Sequence, residues 1–196
     1  MSEIAGFLDF ALGHGARAGG WALLVGGALA LPLLMLAPRA VPLAFAAAFA
    51  VFLALSPFPE AAAMACPRPG TEPLLDPFGP VRAAVALARQ GAPASAWLTD
   101  ITLVAALLNV ALFMPAGAAL RLVTARAAAA PAFGLALSAG IETAQITGNF
   151  GLYPCAYRQF DVGDLLGNAL GVTLGFWLAD RLARRRARLD RGARAR

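Results

Sequence analysis

Charge-free apolar stretches alternate along this chain with short polar or proline-rich breaks, and the period of that alternation is too long for a soluble core. Residues 19–37 carry no charge and predict a first membrane-crossing helix. After Pro38 and Arg39, residues 41–55 predict a second, somewhat short one. Further apolar stretches at 101–122, 131–148 and 162–179 bring the expected number of crossings to about five. Pro32 and Pro42 fall in or beside these stretches, where a membrane helix tolerates proline at the cost of a kink or an end.

Between the second and third stretches the pattern breaks. Residues 56–100 hold eight of the fourteen prolines, together with Glu60, Arg68, Glu72, Asp76, Arg82 and Arg89, and read as a structured loop. Within it, Val81, Val85 and Ala88 share a helical face from which Arg82 and Arg89 are absent, the pattern of a short helix lying on a membrane surface. Residues 1–18 set Glu3 and Asp9 against Arg17 and lack the basic start of a signal peptide. They are expected as an extracytoplasmic N-terminal segment ahead of a membrane domain at 19–180, with an Arg-rich cytoplasmic tail at 181–196. Trp21, Trp97 and Trp177 each lie near a predicted helix end, where indole favours the interface.

Composition supports an all-α, polytopic membrane helical bundle: 60% of residues are hydrophobic and 14% charged, too few polar side chains to cover a soluble domain of 196 residues. The net charge of +5 is a local property, because all sixteen basic residues are arginines and eight lie between Arg181 and Arg196. A basic run directly after a membrane helix fixes orientation and meets anionic headgroups, a stronger reading than nucleic-acid binding. With the tail in the cytoplasm and five crossings, Arg39, Arg121, Arg126 and the tail lie inside, against Arg17, Arg68, Arg82, Arg89 and Arg158 outside. The positive-inside rule favours that arrangement.

Three segments put costly polar groups into this apolar background: Asn109-x-x-x-Phe113-x-Pro115-x-Gly117, Ser138-x-x-x-Glu142-x-x-Gln145, and Arg158-x-x-Asp161-x-x-Asp164-x-x-x-Asn168-x-x-Gly171. Helical spacing aligns Ser138, Glu142 and Gln145 on one face, and Asp161, Asp164, Asn168, Gly171 and Gly175 on another. A charge at the bilayer centre costs at least about 2.5–3.5 kcal/mol, so these groups should face the bundle interior and pair. At roughly 1.5 Å per residue, Asn109, Glu142 and Asn168 fall to one depth below the outer surface. Arg158, Asp161 and Asp164 lie above them. A single polar pocket opening outward is expected from Asn109, Ser138, Glu142, Gln145, Arg158, Asp161, Asp164 and Asn168, with Arg158 offsetting Glu142 where the two approach.

In their order and spacing the three segments resemble the VanZ-like family of bacterial membrane proteins, over roughly residues 40–180. Asp76-Pro77-Phe78 is similar to that family's Pro-Phe step. The resemblance implies a bacterial cytoplasmic membrane protein whose signature positions are Asn109, Glu142, Gln145, Arg158, Asp161, Asp164 and Asn168. It also implies a link to teicoplanin-type glycopeptide resistance through the founding member.

Several functions fit the polar cluster. It could bind an envelope lipid or a lipoglycopeptide's acyl-bearing part, with Arg158 on a phosphate or carboxylate. Glu142 with Asp161 or Asp164 could serve a membrane-embedded enzyme as base or as Mg²⁺ ligands. Plain helix packing is also adequate, since interhelical polar contacts contribute about 0.6–2 kcal/mol. Catalysis lacks a convincing nucleophile, and the only histidine, His14, is in the N-terminal segment. Transport lacks the internal repeats of secondary carriers. Binding is the favoured expectation, with membrane lipids as partners and with no cofactor, metal or nucleic acid. Cys66 and Cys155 fall in loops on the same, oxidising side, so a disulfide is expected as a clamp over the pocket mouth, against the alternative of two unpaired thiols.

Overall fold

The computed structural model describes residues 2–56, 58 and 64–194. Glu60 of the expected loop and Arg196 of the expected tail lie outside the described residues. Eight helices and one 3₁₀ turn are described: α1 (Ser2–Leu36), η1 (Pro38–Ala40), α2 (Val41–Leu55), α3 (Gly79–Arg89), α4 (Ala94–Thr99), α5 (Ile101–Val123), α6 (Ala129–Ile146), α7 (Gly148–Gly151) and α8 (Val162–Arg194).

Two helices run further than the apolar stretches that announced them. α1 begins at Ser2, so residues 2–18 continue the helix of the apolar stretch without a break. α8 continues through the arginines to Arg194. Hydropathy marks where lipid can surround a helix, whereas helix extent follows backbone propensity, and Ala, Leu and Arg are all good helix formers. At 1.5 Å per residue α1 and α8 are each about 50 Å long, well beyond a hydrocarbon core of about 30 Å.

Among the described residues, four segments are long and apolar enough to cross a membrane: Gly19–Leu36, Pro38–Leu55, Ile101–Val123 and Val162–Arg191. α6 covers most of the remaining expected stretch with 18 residues, but Ser138, Glu142 and Gln145 lower its hydropathy. All three are buried in protein, so the polarity of α6 is turned away from lipid.

α1 and α2 form an antiparallel hairpin, with Trp21 stacked on Phe52 at 6.1 Å and Gly26 facing the Phe45 ring. The three-helix unit of α5, α6 and α8 packs more closely. α5 and α8 run parallel, as pairing of Asn109 with Asp164 near one end and Arg121 with Asp180 near the other requires. α6 runs antiparallel to α8, since Ser138 meets Asn168 while Glu142 meets Asp161. Gly117 lies against the Val172 carbonyl, Gly171 against that of Val110 and Gly175 against that of Met114, so α5 and α8 touch backbone to backbone. Phe113 and Val172 fill the centre and are fully buried.

The loops before α5 and before α8 meet at one end of the bundle. Leu74 N–H donates to Phe160 O at 2.8 Å and Val162 N–H to Leu74 O at 3.0 Å. Gln159 Nε2 donates to Glu72 O at 2.7 Å, and Cys66 is bonded to Cys155 with Cα atoms 5.9 Å apart. The turn α7 places Gly148, Asn149, Phe150 and Gly151 all at positive φ. Gly148 is needed there because a side chain would strike the Tyr153 and Cys155 carbonyls.

Candidate functional site

The polar groups lie at the end of the bundle where these loops meet. Asp161 caps α8, its Oδ1 accepting from Gly163 N–H at 2.6 Å, and its own N–H donates to Glu142 Oε2 at 2.9 Å. One turn deeper, Asn109 Nδ2 donates to Asp164 Oδ1 at 2.5 Å, joining α5 to α8. Deeper still, Asn168 Nδ2 donates to Ser138 Oγ at 2.9 Å, joining α8 to α6. The Asn168 Oδ1 atom is buried and unpartnered.

α2 is held to the same end by its backbone. Gln145 Nε2 and Arg158 Nη1 both donate to the Ala54 carbonyl, at 3.0 and 2.8 Å, and Arg158 Nη1 also reaches Ser56 O at 3.1 Å. These carbonyls belong to the last turn of α2, which has no helical N–H to satisfy them. No ion pair joins Glu142 to Arg158: the carboxylate faces the Asp161 amide, and the guanidinium closes the end of α2. Beneath the loops, Tyr157 is buried with its hydroxyl unpartnered, and that burial pushes its phenol up to about 12.

Among the described residues, no single cavity gathers all eight expected site residues. Glu142, Ser138, Gln145 and Asn168 are buried, at 1%, 0%, 4% and 3% exposure, and serve as interior braces. Asn109 and Arg158 line a groove of about 480 Å³ between α2 and α5, walled by Phe49, Leu53, Leu108 and Leu112. Asp161 and Asp164 line a separate cavity of about 270 Å³ with Asp76 and Thr102. A shared depth put the polar groups near one another, but the packed α5–α8 contact divides the space around them. The Asn109–Asp164 bond connects the two cavities.

Sequence reasoning missed the contribution of α2: the Ala54 and Ser56 carbonyls and the Phe49 and Leu53 wall. Backbone acceptors and ordinary apolar side chains leave no signature in a hydropathy pattern. Among the described residues no cluster of three His, Cys, Asp or Glu side chains could hold a metal ion.

Helices long and apolar enough to cross a bilayer several times, with their polar groups turned inward, define a multi-pass α-helical membrane protein. The family described as VanZ/LLP1 matches residues 43–183, and the chain belongs to that family. The match begins inside α2 and spans every polar residue of the site. No curated protein and no solved structure gives a match.

Proposed function

We propose that this chain is a binding or accessory protein of the bacterial cell envelope, contributing to envelope function or to glycopeptide resistance of the teicoplanin type. Its groove between α2 and α5 takes a molecule with an acyl chain and a polar or anionic head, an envelope lipid or the acyl-bearing part of a lipoglycopeptide. The observation that carries this reading is the lining of that groove: apolar Phe49, Leu53, Leu108 and Leu112, with Asn109 and Arg158 supplying the polar groups. Arg158 is exposed, and among the described residues its hydrogen bonds run from Nη1 to backbone carbonyls, which leaves its other guanidinium nitrogens to meet a phosphate or carboxylate.

Orientation supports the same reading. The Cys66–Cys155 bond ties the loops at the groove's end of the bundle, and disulfides persist on the oxidising side of the membrane. The eight arginines of 181–196 follow the other end, which the positive-inside rule assigns to the cytoplasm. The chain then sits in the cytoplasmic membrane with its C-terminus inside and its groove outside.

The test scores Arg158→Ala, Asn109→Ala and Leu112→Trp for protein level in the membrane, for teicoplanin susceptibility and for binding of teicoplanin against an acyl-free glycopeptide. Preserved levels with altered susceptibility and weakened acyl-dependent binding support the groove. Unchanged susceptibility and binding in all three variants overturn it. The alternative, a carboxylate-dependent enzyme acting on a lipid-linked envelope substrate, rests on the second cavity, where Asp161 and Asp164 are lining residues. Asp161→Asn would then abolish turnover and leave the α2–α5 groove's binding intact.

A further inference from the structure

The opposite end of α8 carries a second feature, independent of the proposed groove. Arg181, Arg184, Arg185 and Arg188 recur at helical spacing on one exposed face of α8 and flank Leu178 and Leu182 in an open surface recess. Leu178 and Leu182 also form the mouth of an apolar furrow of about 290 Å³ that runs between α5 and α8 past Ala118, Met114 and Gly175. Basic recess and apolar furrow therefore lie side by side, with Leu178 and Leu182 bordering both.

The arginines are unequally engaged. Arg184 and Arg121 both pair with Asp180, at 2.7 and 2.8 Å, which locks the base of the face. Arg181 stacks its guanidinium 4.0 Å over the Trp177 ring, an arrangement that places an indole and a cation together at a membrane interface. Arg185 and Arg188 have no acidic partner among the described residues. Asp164 lies near the first turn of α8, and seventeen residues at 1.5 Å each put Arg181 about 25 Å further along the helix. That distance carries the arginines from one edge of a hydrocarbon core of about 30 Å to the other.

From this arrangement we infer a binding site for one anionic phospholipid of the tail-side leaflet. Its phosphate is held by Arg185 and Arg188, and one of its acyl chains lies in the furrow between α5 and α8. A free phosphate or an acidic protein would use the charge alone, whereas the furrow opening directly beneath the arginines matches a headgroup with a chain attached. The furrow from Leu182 to Ala111 runs lengthwise along α5 and α8, the direction an acyl chain takes beside membrane-crossing helices.

The protein is released into detergent from nanodiscs of phosphatidylcholine with added phosphatidylglycerol, and the lipids it retains are counted by native mass spectrometry. Wild type is expected to retain phosphatidylglycerol in preference to phosphatidylcholine. The double variant R185Q/R188Q, on exposed helix positions, should lower that retention on the order of tenfold. Ala118→Phe, which fills the furrow without touching a charge, should lower it as well. Equal retention of the two lipids by wild type overturns the site, as does full retention by R185Q/R188Q. Loss in the arginine variant with full retention in Ala118→Phe overturns the seated chain and leaves only charge attraction.

Discussion

The two parts of this bundle are built on different principles. The α1–α2 hairpin is joined by apolar contacts, Trp21 on Phe52 and Gly26 against Phe45, and leaves Leu23, Leu24, Leu31 and Leu34 exposed for lipid. The α5–α6–α8 unit is joined by backbone approach at glycines and by side-chain hydrogen bonds that cross between helices. In lipid, apolar surface gives helices no reason to choose one another, so close packing and polar contacts must specify the partners. The three-helix unit has such specification and the hairpin has little. The family match, which begins at residue 43, covers α5, α6 and α8 as far as residue 183 and omits α1.

The largest effect should come from breaking the backbone contacts. A methyl at Gly171 meets the Val110 carbonyl, and one at Gly117 the Val172 carbonyl, neither of which can step aside without separating α5 from α8. Gly171→Ala or Gly117→Ala should cost about 3 kcal/mol or more and remove most of the protein from the membrane. Gly26→Ala is the matched change in the hairpin, where the obstacle is the Phe45 ring at 2.5 Å, a side chain able to rotate. Its cost should stay near about 1 kcal/mol, with near-normal protein level on an immunoblot of membranes. Equal losses in the two places would end the distinction.

Smaller than the glycine effect is that of the brace at Glu142. Its carboxylate accepts the Asp161 amide at the start of α8, so Glu142→Ala strands a half-buried donor and should cost about 1–3 kcal/mol. Glu142→Gln keeps an acceptor oxygen in the same place and should restore most of the thermal stability in detergent. A variant that is stable as Gln yet inactive in the susceptibility assay would move Glu142 from bracing to chemistry.

Polar spacing alone made the core of this arrangement readable. Asn109, Glu142, Asp161, Asp164 and Asn168 had to face inward for energetic reasons, and helical period told which of them share a face. What period and depth could not convey is which neighbour each group finds. Asn109 pairs with Asp164 rather than opening a pocket beside Glu142, because Gly171 and Gly175 bring α5 against α8 and close the space between them. The groove was illegible for a related reason: one wall of it is the end of α2, which contributes Phe49, Leu53 and Ala54 together with the carbonyls that hold Arg158. Helix ends were obscured by composition, since arginine and alanine continue a helix as readily outside lipid as within it.

The clamp between loops tests whether the specified unit depends on its cover. Cys66 and Cys155 close a sequence separation of 89 residues around α3, α4, α5, α6 and α7. C66S/C155S should cost about 2–4 kcal/mol against thermal unfolding, while the Asn109–Asp164 and Ser138–Asn168 contacts keep α5, α6 and α8 assembled. A shift in mobility between reducing and non-reducing gels, together with thiol labelling only after reduction, checks the bond itself. If the double variant fails to accumulate as severely as Gly171→Ala, the loops are part of the unit and not a cover over it.

The smallest effect belongs to the surface helix α3, held by a charge pair instead of by burial. Asp76 accepts the Phe78 amide at 2.9 Å and pairs with Arg82 at 2.5 Å, fixing the first turn of α3. The amide bond first, and Arg82 after it, hold the Asp76 carboxyl below its ordinary value. A carboxylate with a depressed folded value adds its stabilisation fully above the unfolded value of about 4, and loses it as pH falls through the lower folded one. Because the pair is exposed, salt screens it and the loss should be local. Amide exchange in residues 79–89 should therefore quicken below about pH 4 while the melting temperature of the bundle barely moves, and Asp76→Asn should abolish that acid-dependent step. A melting temperature that follows the Asp76 titration would show α3 to be a supporting wall of the α5–α6–α8 unit, and the two-part description of the bundle would fail at its edge.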